Sequence, residues 1–447
     1  MPTIPAPPVL RTTSLGDPYT PMSGNTGYSV SHYDLRLDYR MLTNRLAATA
    51  TITATTTTPL TKLSFDFAGL SVERLTVDGQ RPKKVTQTAR KILVTLADEL
   101  PAGHEFVVVV RYRGAPHPVP SPWGDLGWEE LADGVLVAGQ PSGAASWFPC
   151  NDHPSDKASY RIQVACEEAY TVVSNGSLVS RMSRSGRATW VYESPEPMAT
   201  YLATVQIGRF STREVAASAI DSTVPVTMFY PPDLARKVAV DFGRLGDMLV
   251  LFERMFGPYP FGRYSVVVTS DVLEIPLESQ SLATFGRNHV DGAHGSERLI
   301  AHELAHQWFG NSLTVRSWRD IWLHEGIACY AEWLWSEESG GRSAHQSAVW
   351  HRKRLAELPR DILIGDPGPA HMFDDRVYKR GALAVHAVRR ALGDTEFFSG
   401  LRAFVATHRH GNVSTEDFIA VMSASTGTEA VGKLTKSWLY SAGLPQL

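Results

Sequence analysis

The feature that most constrains this sequence is a short array of metal-binding residue types between residues 296 and 331. His302 and His306 are four residues apart with Glu303 between them, and Glu325 follows after eighteen further residues. On a helix, residues four apart lie on the same face, one turn from each other. Two imidazoles at this spacing hold one Zn²⁺ ion, with the intervening glutamate as general base. Glu325 is the predicted third ligand, because catalytic zinc commonly takes three protein ligands and leaves one position open.

The residues around this array predict two helices. The apolar residues that recur at helical spacing near the histidines are Leu299, Ile300, Leu304, Trp308 and Phe309. Gly310 and Asn311 supply a stop signal, and a second helix is predicted to begin after Asp320 and to carry Glu325. The pattern therefore predicts two helices that share one ion.

Composition limits the class of protein. A chain of 447 residues predicts two or three domains with buried cores. The net charge of −3 gives no reason to expect binding to nucleic acid or to an anionic membrane. Three cysteines are too few for a disulfide framework, the N-terminus does not read as a signal peptide, and no apolar run is long enough to span a membrane. We therefore expect a cytoplasmic protein. We also expect a monomer or a weak oligomer, although the sequence carries no direct signal of the oligomeric state.

Periodicity predicts a multidomain α+β chain. Residues 1–26 are rich in Pro, Thr, Ser and Gly, and we expect a poorly ordered tail there. Over residues 27–212, alternating apolar and β-branched residues predict an antiparallel all-β domain. Over residues 213–447, apolar positions step by three and four, which predicts a mainly helical domain that carries the histidines.

Zinc hydrolysis also needs a group that stabilises an oxyanion and a group that positions the substrate. The candidates are Glu278, on a strand-like segment before the histidines, and Tyr378, at the start of a later helix. Taken alone, a glutamate is usually a solvated surface group and a tyrosine is usually a half-buried packing residue. These two residues by themselves therefore leave their roles open.

Several motifs together resemble the aminopeptidase N type of zinc metallopeptidase, the gluzincin family that also includes leukotriene hydrolase. The resemblance runs from about residue 24 to residue 447, and its strongest marks are HELAH-x18-E and the letters WLHEG around the third ligand. Further marks are YKRG at 378–381, WFPCND at 147–152 and FGPYPF at 256–261.

This resemblance implies a thermolysin-like fold for residues 213–447, one zinc ion per chain, and removal of the N-terminal residue from peptides with a free N-terminus. It implies that Glu278 binds the free amine, that Tyr378 stabilises the oxyanion, and that Gln140 helps to hold the N-terminal residue. In the family, the amine-binding glutamate lies on a Gly-x-Met-Glu-Asn strand, and the corresponding letters here are IPLES at 275–279.

Three departures from the family pattern bear on the substrate and the metal. Ile275 and Ser279 replace the family's Gly and Asn, and a side chain at position 275 is expected to narrow the approach of a substrate backbone. His324 replaces the usual Asn before the third ligand, and its helical position, about 100° from Glu325, predicts a supporting role rather than ligation. The large helical C-terminal domain of longer members is not in this sequence, so we expect an open cleft or one covered by another chain.

Two alternative functions remain open at this point. One is a zinc endopeptidase or an epoxide hydrolase on the same fold, which a comparison of aminoacyl-arylamides with blocked peptides would separate from an aminopeptidase. The other is a non-catalytic scaffold that binds proteins. A scaffold is expected to lose Glu303 or a ligand, and all four residues are present.

Overall fold

Alternating burial along long strands builds the N-terminal part of the chain. The computed structural model describes residues 14–215, 222–424 and 429–447. The strands up to residue 208 are β1 (Tyr28–Arg40), β2 (Arg45–Thr56), β3 (Leu60–Asp66), β4 (Ser71–Val77), β5 (Lys84–Gln87), β6 (Lys91–Leu100), β7 (Glu105–Gly114), β8 (Val119–Ser121), β9 (Gly124–Leu131), β10 (Gly134–Ala138), β11 (Lys157–Glu167), β12 (Thr171–Ser174), β13 (Ser177–Arg184), β14 (Arg187–Ala199) and β15 (Val205–Gly208). In β1, β2 and β11, buried and less buried residues alternate, so one face of each strand packs inward.

These strands form three sheets. The largest has seven strands in the order β13-β14-β11-β1-β2-β7-β4, and its pairs are antiparallel except for β1 with β11. A five-stranded sheet has the order β12-β15-β10-β9-β8, and a three-stranded sheet has the order β3-β6-β5. The predicted antiparallel character of this part is therefore confirmed.

The second part of the chain joins a small sheet to a group of helices. Its strands are β16 (Ser211–Val215), β17 (Val226–Tyr230), β18 (Tyr264–Val268), β19 (Leu277–Ser279), β20 (Leu282–Phe285), β21 (Thr314–Val315) and β22 (Asn412–Val413). The helices are α1 (Ala235–Asp241), α2 (Leu245–Phe256), α3 (Glu297–Ala305), α4 (Trp322–Glu338), α5 (Ala344–Leu355), α6 (Asp375–Leu392), α7 (Asp394–Thr407), α8 (Thr415–Ala424) and α9 (Ala430–Tyr440). The prediction of a mainly helical part after an all-β part is confirmed.

The small sheet ends in the strand that carries Glu278. Its order is β16-β17-β18-β20-β19, so β19 lies at an edge and pairs on one side only, with β20. β16 belongs to this sheet and begins at Ser211, so the predicted domain boundary at residue 212 falls inside a strand. The division of the chain at that residue stays a prediction. Within the described residues, no helix is both long and apolar enough to cross a membrane.

The predicted poorly ordered tail is wrong for residues 14–26. Asn25 is fully buried, and its side-chain amide donates to Asp66 Oδ2 at 2.8 Å. Asp17 is also buried and accepts from the main-chain nitrogen of Trp318 at 3.1 Å. These polar contacts fix the segment against both parts of the chain, although its composition resembles a flexible tail. Residues 1–13 of the predicted tail lie outside the described residues.

Helices α4 and α6 cross at two glycines. A methyl group added to Gly381 of α6 would lie 2.8 Å from the Cα atom of Gly326 in α4, closer than carbon atoms pack. Gly326 follows Glu325 directly, and Gly381 lies one helical turn after Tyr378. The close approach of the two helices at these glycines therefore places the backbone of Glu325, the third predicted ligand, near that of Tyr378, the predicted oxyanion donor.

We predict that Gly381→Ala destabilises the protein because its methyl group forces the two helices apart. Overpacking of this kind costs about 1–3 kcal/mol, which urea denaturation measures as a change in the free energy of unfolding. The matched control is Gly262→Ala, where the added methyl meets nothing within 4 Å. An equal change for both variants would contradict close packing at the crossing.

Candidate metal centre

His302, His306 and Glu325 meet in a buried pocket between α3 and α4. The Nε2 atoms of His302 and His306 lie 3.4 and 3.5 Å from Glu325 Oε2, and the two imidazole centroids are 4.8 Å apart. α3 ends at Ala305, so His306 caps the helix rather than lying within it, but its backbone is still helical. The structure thus brings the three predicted ligands together.

The spacing of these atoms fits one zinc ion. One ligand atom from each of the three residues lies within 4.8 Å of the other two. Tetrahedral zinc with bonds of about 2.0–2.2 Å separates its ligand atoms by about 3.3–3.6 Å. The two measured nitrogen–oxygen distances, 3.4 and 3.5 Å, fall in that range.

Hydrogen bonds at the outer nitrogens orient both imidazoles. His302 Nδ1 lies 2.8 Å from Glu332 Oε1, and His306 Nδ1 lies 3.0 Å from the carbonyl oxygen of Phe309. With Nδ1 donating, each Nε2 presents a lone pair to the centre, which is the tautomer a metal requires.

Glu332 contacts the candidate metal centre, although it is not among the residues predicted from the sequence. Arg298 donates to both of its carboxylate oxygens at 3.0 Å. Burial opposes ionisation of Glu332, but His302, Lys379 and Arg298 outweigh burial and lower its pKa to about 2. Glu332 lies seven residues after Glu325 on α4, close to two helical turns, and that periodicity was the available signal.

Glu303 points a free carboxylate oxygen into the same space. Its side chain is buried, and Oε2 has no hydrogen-bond partner among the residues that the structure describes. Burial raises its pKa to about 7, and the neighbouring carboxylates of Glu278 and Glu325 add to that effect. A buried carboxylate with a pKa near neutrality suits a group that accepts and releases a proton.

Glu278 and Gln140 meet although they lie far apart in the sequence. The Gln140 amide, on the loop after β10, donates to Glu278 Oε1 at 2.5 Å. Glu278, Glu303 and His306 also form a set whose ligand atoms lie within 4.8 Å of one another. Burial raises the pKa of Glu278, His306 lowers it, and Glu325 raises it further. The pair therefore presents a carboxylate beside the predicted general base.

Tyr378 covers the centre from α6. Its ring lies parallel to the His302 imidazole, with an angle of 17° and a centroid distance of 6.1 Å. Burial raises the pKa of the phenol well above its ordinary value, and the site's carboxylates add to this effect. The hydroxyl therefore keeps its proton at neutral pH and is available as a hydrogen-bond donor.

The carboxylates of Glu278, Glu303 and Glu325 give the pocket a strong attraction for positive charge. In the absence of a metal ion, burial opposes protonation of His306, but Glu325 and Glu278 outweigh burial and raise its pKa to about 10. The pKa of Glu325 stays well below its ordinary value because the two imidazoles outweigh its burial. Such a donor set suits a divalent cation.

His324, which precedes the third ligand, supports the backbone. Its Nε2 accepts from the main-chain nitrogen of Val315 at 2.9 Å. Burial lowers its pKa to about 3, so the ring is neutral. Ile275, the other notable departure, is 62% exposed on the loop before β19.

Fold and centre together define a class, the two-domain metallopeptidases with an HExxH-x18-E site. The family model described as "Peptidase family M1 domain" matches residues 242–438, and the one described as "Peptidase M1 N-terminal domain" matches residues 133–202. The chain belongs to peptidase family M1.

Solved structures agree with this membership over nearly the whole chain. An M1 zinc metallopeptidase from Deinococcus radiodurans, as a mutant bound to a Tyr-Ser-Ala substrate, is 31% identical, with a TM-score of 0.88. The match covers 97% of this chain and 99% of that one. A two-domain M1 zinc metallopeptidase mutant bound to L-arginine is also 31% identical, with a TM-score of 0.87 and the same coverage of both chains.

Curated relatives are longer. Aminopeptidase M1-D from Oryza sativa subsp. japonica is 25% identical, over 92% of this chain and 50% of that protein. Endoplasmic reticulum aminopeptidase 1 from Homo sapiens is 26% identical, over 90% of this chain and 46% of that protein. The chain therefore spans about half the length of these relatives.

We predict that Glu332→Gln weakens zinc binding by about 10- to 100-fold, the usual cost of losing such a partner. The glutamine amide oxygen still accepts from His302 Nδ1, but the negative charge that strengthens this hydrogen bond and makes His302 a better ligand is lost. Competition with a chromophoric chelator measures the zinc dissociation constant. Glu338→Gln, at an exposed position on the same helix, is the control. Equal affinities for both variants would contradict the assigned role of Glu332.

Proposed function

We propose that this chain is a zinc-dependent aminopeptidase that removes the N-terminal residue from peptides. The observation that carries the proposal is the position of Glu278, which Gln140 holds within 4.8 Å of the ligand atoms of Glu303 and His306. A carboxylate so close to the metal centre is suited to a free ammonium group. Recognition of that group at this point limits cleavage to the first peptide bond.

The metal would be held by His302, His306 and Glu325. When bound, zinc supplies Lewis-acid polarisation of a carbonyl group and of the attacking water. The M1 relatives whose structures are solved are zinc metallopeptidases, which supports zinc as the ion.

Glu303 moves the proton. Its Oε2, which has no hydrogen-bond partner among the described residues, accepts a proton from the attacking water and then donates it to the nitrogen of the leaving peptide. Its pKa of about 7 in the metal-free pocket shows how strongly burial favours the protonated form, and a bound cation opposes that effect.

Tyr378 stabilises the charge that develops on the carbonyl oxygen. Its protonated hydroxyl donates a hydrogen bond to that oxygen, and removal of such a donor raises the barrier by about 2.7–4 kcal/mol. The ring is fixed parallel to His302 at 6.1 Å, so the donor is in place before the substrate binds.

Glu278 and Gln140 bind the amine end of the peptide. The amide of Gln140 occupies Glu278 Oε1 and leaves the second oxygen for a charge-assisted bond to the ammonium. Three ionised carboxylates around one divalent cation leave a net charge of −1, which a substrate ammonium neutralises. The pocket therefore favours peptides with a free N-terminus.

We also propose that the protein works in a reducing compartment such as the cytoplasm. Its three cysteines are free and buried, which supports a protein that needs no disulfide.

The decisive experiment is a panel of unblocked aminoacyl-arylamides, with N-blocked peptides for comparison. We predict hydrolysis of the unblocked compounds that a chelator abolishes and added zinc restores. Glu303→Gln is expected to lose at least about 10²-fold in kcat, the lower range for loss of a general base, with zinc still bound by elemental analysis. Cleavage of blocked peptides alone would instead establish an endopeptidase.

We predict that Glu278→Ala selectively weakens the hydrolysis of unblocked substrates. Loss of a charge-assisted hydrogen bond of about 1.5–3 kcal/mol lowers kcat/KM by about 10- to 150-fold. Activity on N-acetylated peptides should change little. Glu274→Ala, at an exposed position on the adjoining loop, is the matched control. Equal losses on blocked and unblocked substrates would show that Glu278 does not bind the amine.

A further inference from the structure

Lys157, at the start of β11 in the N-terminal part, reaches into the helical part. Its Nζ atom donates to the carbonyl oxygens of Ser312 at 2.8 Å, Asn311 at 3.1 Å and Gly411 at 3.3 Å. The three protons of an ammonium group thus have three acceptors. All three acceptors are main-chain oxygens, and two of them lie in the turn that follows the metal-binding helix α3.

This turn, residues 309–312, is attached directly to the second metal ligand. The carbonyl oxygen of Phe309 lies 3.0 Å from His306 Nδ1 and sets the orientation of that imidazole. The main-chain nitrogen of Asn311 donates to the carbonyl oxygen of His306 at 3.0 Å. A displacement of the turn therefore moves the acceptor that orients the His306 ring.

The same turn also holds the strand that presents Glu278. The Asn311 side-chain amide donates to the carbonyl oxygen of Ser279 at 2.8 Å, and the Gln307 amide donates to the same oxygen at 3.1 Å. Ser279 directly follows Glu278 in β19, an edge strand with a partner on one side only. Asn311 thus links Lys157 to the predicted amine anchor.

From these contacts we infer that Lys157 is a positioning residue that acts from the N-terminal part through the 309–312 turn. It fixes His306 through Phe309 and Glu278 through Asn311 and Ser279. The inference rests on the proposed roles of His306 and Glu278. Beyond those roles, we expect both the retention of the metal and the recognition of the amine to depend on the Lys157 ammonium group, which lies outside the helical part.

The hydrogen bonds of Lys157 matter because its ammonium group is buried. Burial lowers the pKa of Lys157 from its ordinary value because the group has left water, and the three carbonyl oxygens are the acceptors that favour its charged form. An ammonium in such a place is retained only where its hydrogen bonds are satisfied. A side chain of similar length without donors would keep the packing and lose the three bonds.

Lys157→Met is the variant that tests the inference, and Lys84→Met, at an exposed position on β5, is its control. For Lys157→Met we expect zinc release to a chelator to be about 10-fold faster, at the low end of the range for lost ligand support. We expect KM for an unblocked aminoacyl-arylamide to rise about 10-fold, with kcat within about 3-fold of the wild type. Both values should be unchanged in Lys84→Met.

A double-mutant cycle tests the route through Asn311. Asn311→Ala removes the bond to Ser279 and should raise KM by itself. If Lys157 acts through Asn311, adding Lys157→Met to that variant raises KM by less than it does in the wild type. Fully additive effects on KM would overturn the route.

Melting temperatures measured on the same samples separate positioning from simple stability. A lower melting temperature in Lys157→Met with unchanged zinc release and unchanged KM would overturn the inference. If Lys157→Met does not fold, Lys157→Gln, which keeps one donor group, must show a smaller change in the same direction. Zinc release needs no turnover, so it tests Lys157 even if the wild type hydrolyses no arylamide and the proposed function fails.

Discussion

The structure depends on one electrostatic constraint, the crowding of carboxylates around two imidazoles in a buried pocket. Burial raises the pKa of Glu303 to about 7 and raises that of Glu278 as well, while Glu325 stays ionised against His306. Unpaired buried charges cost several kcal/mol each, so the arrangement is stable only with compensating positive charge. In the proposed function, a divalent ion supplies most of that charge and the ammonium end of a peptide supplies the rest. The same charge imbalance would then account for both the metal and a preference for a free amine.

Two sets of contacts from the rest of the fold hold this charged pocket in place. Glu332 and the Phe309 carbonyl fix the ring tautomers from behind. The contact between Gly326 and Gly381 brings α6 close enough for Tyr378 to lie over His302. A donor that is already in place needs no reorganisation during the reaction, and this is where most electrostatic catalysis arises.

The spacing of residues along the sequence predicted those site residues that a single helix brings together. His302, His306 and Glu303 follow from a four-residue interval, and Glu332 was equally available from the seven-residue interval on α4. Glu278 and Gln140 come from an edge strand and a distant loop, so only family resemblance brought them together. Lys157 binds main-chain oxygens, which leave no trace in side-chain patterns. The tail prediction was wrong for residues 14–26 because composition reports local preference, whereas Asp66 and Trp318 hold that segment through distant contacts.

An aminopeptidase cleaves the peptide bond one residue from the free amine. Its amine-binding carboxylate must therefore be positioned to well within the length of one residue, about 3.3–3.6 Å of extended chain. β19 is an edge strand of three residues and has little pairing of its own. Its position relative to the candidate metal centre is instead set by Gln307 and Asn311, which follow the ligand helix. The side-chain amides of both residues donate to the carbonyl oxygen of Ser279. In the proposed function, the strand that carries the amine-binding carboxylate is therefore hydrogen-bonded to the residues that follow the ligand helix, and these bonds fix its distance from the metal ligands.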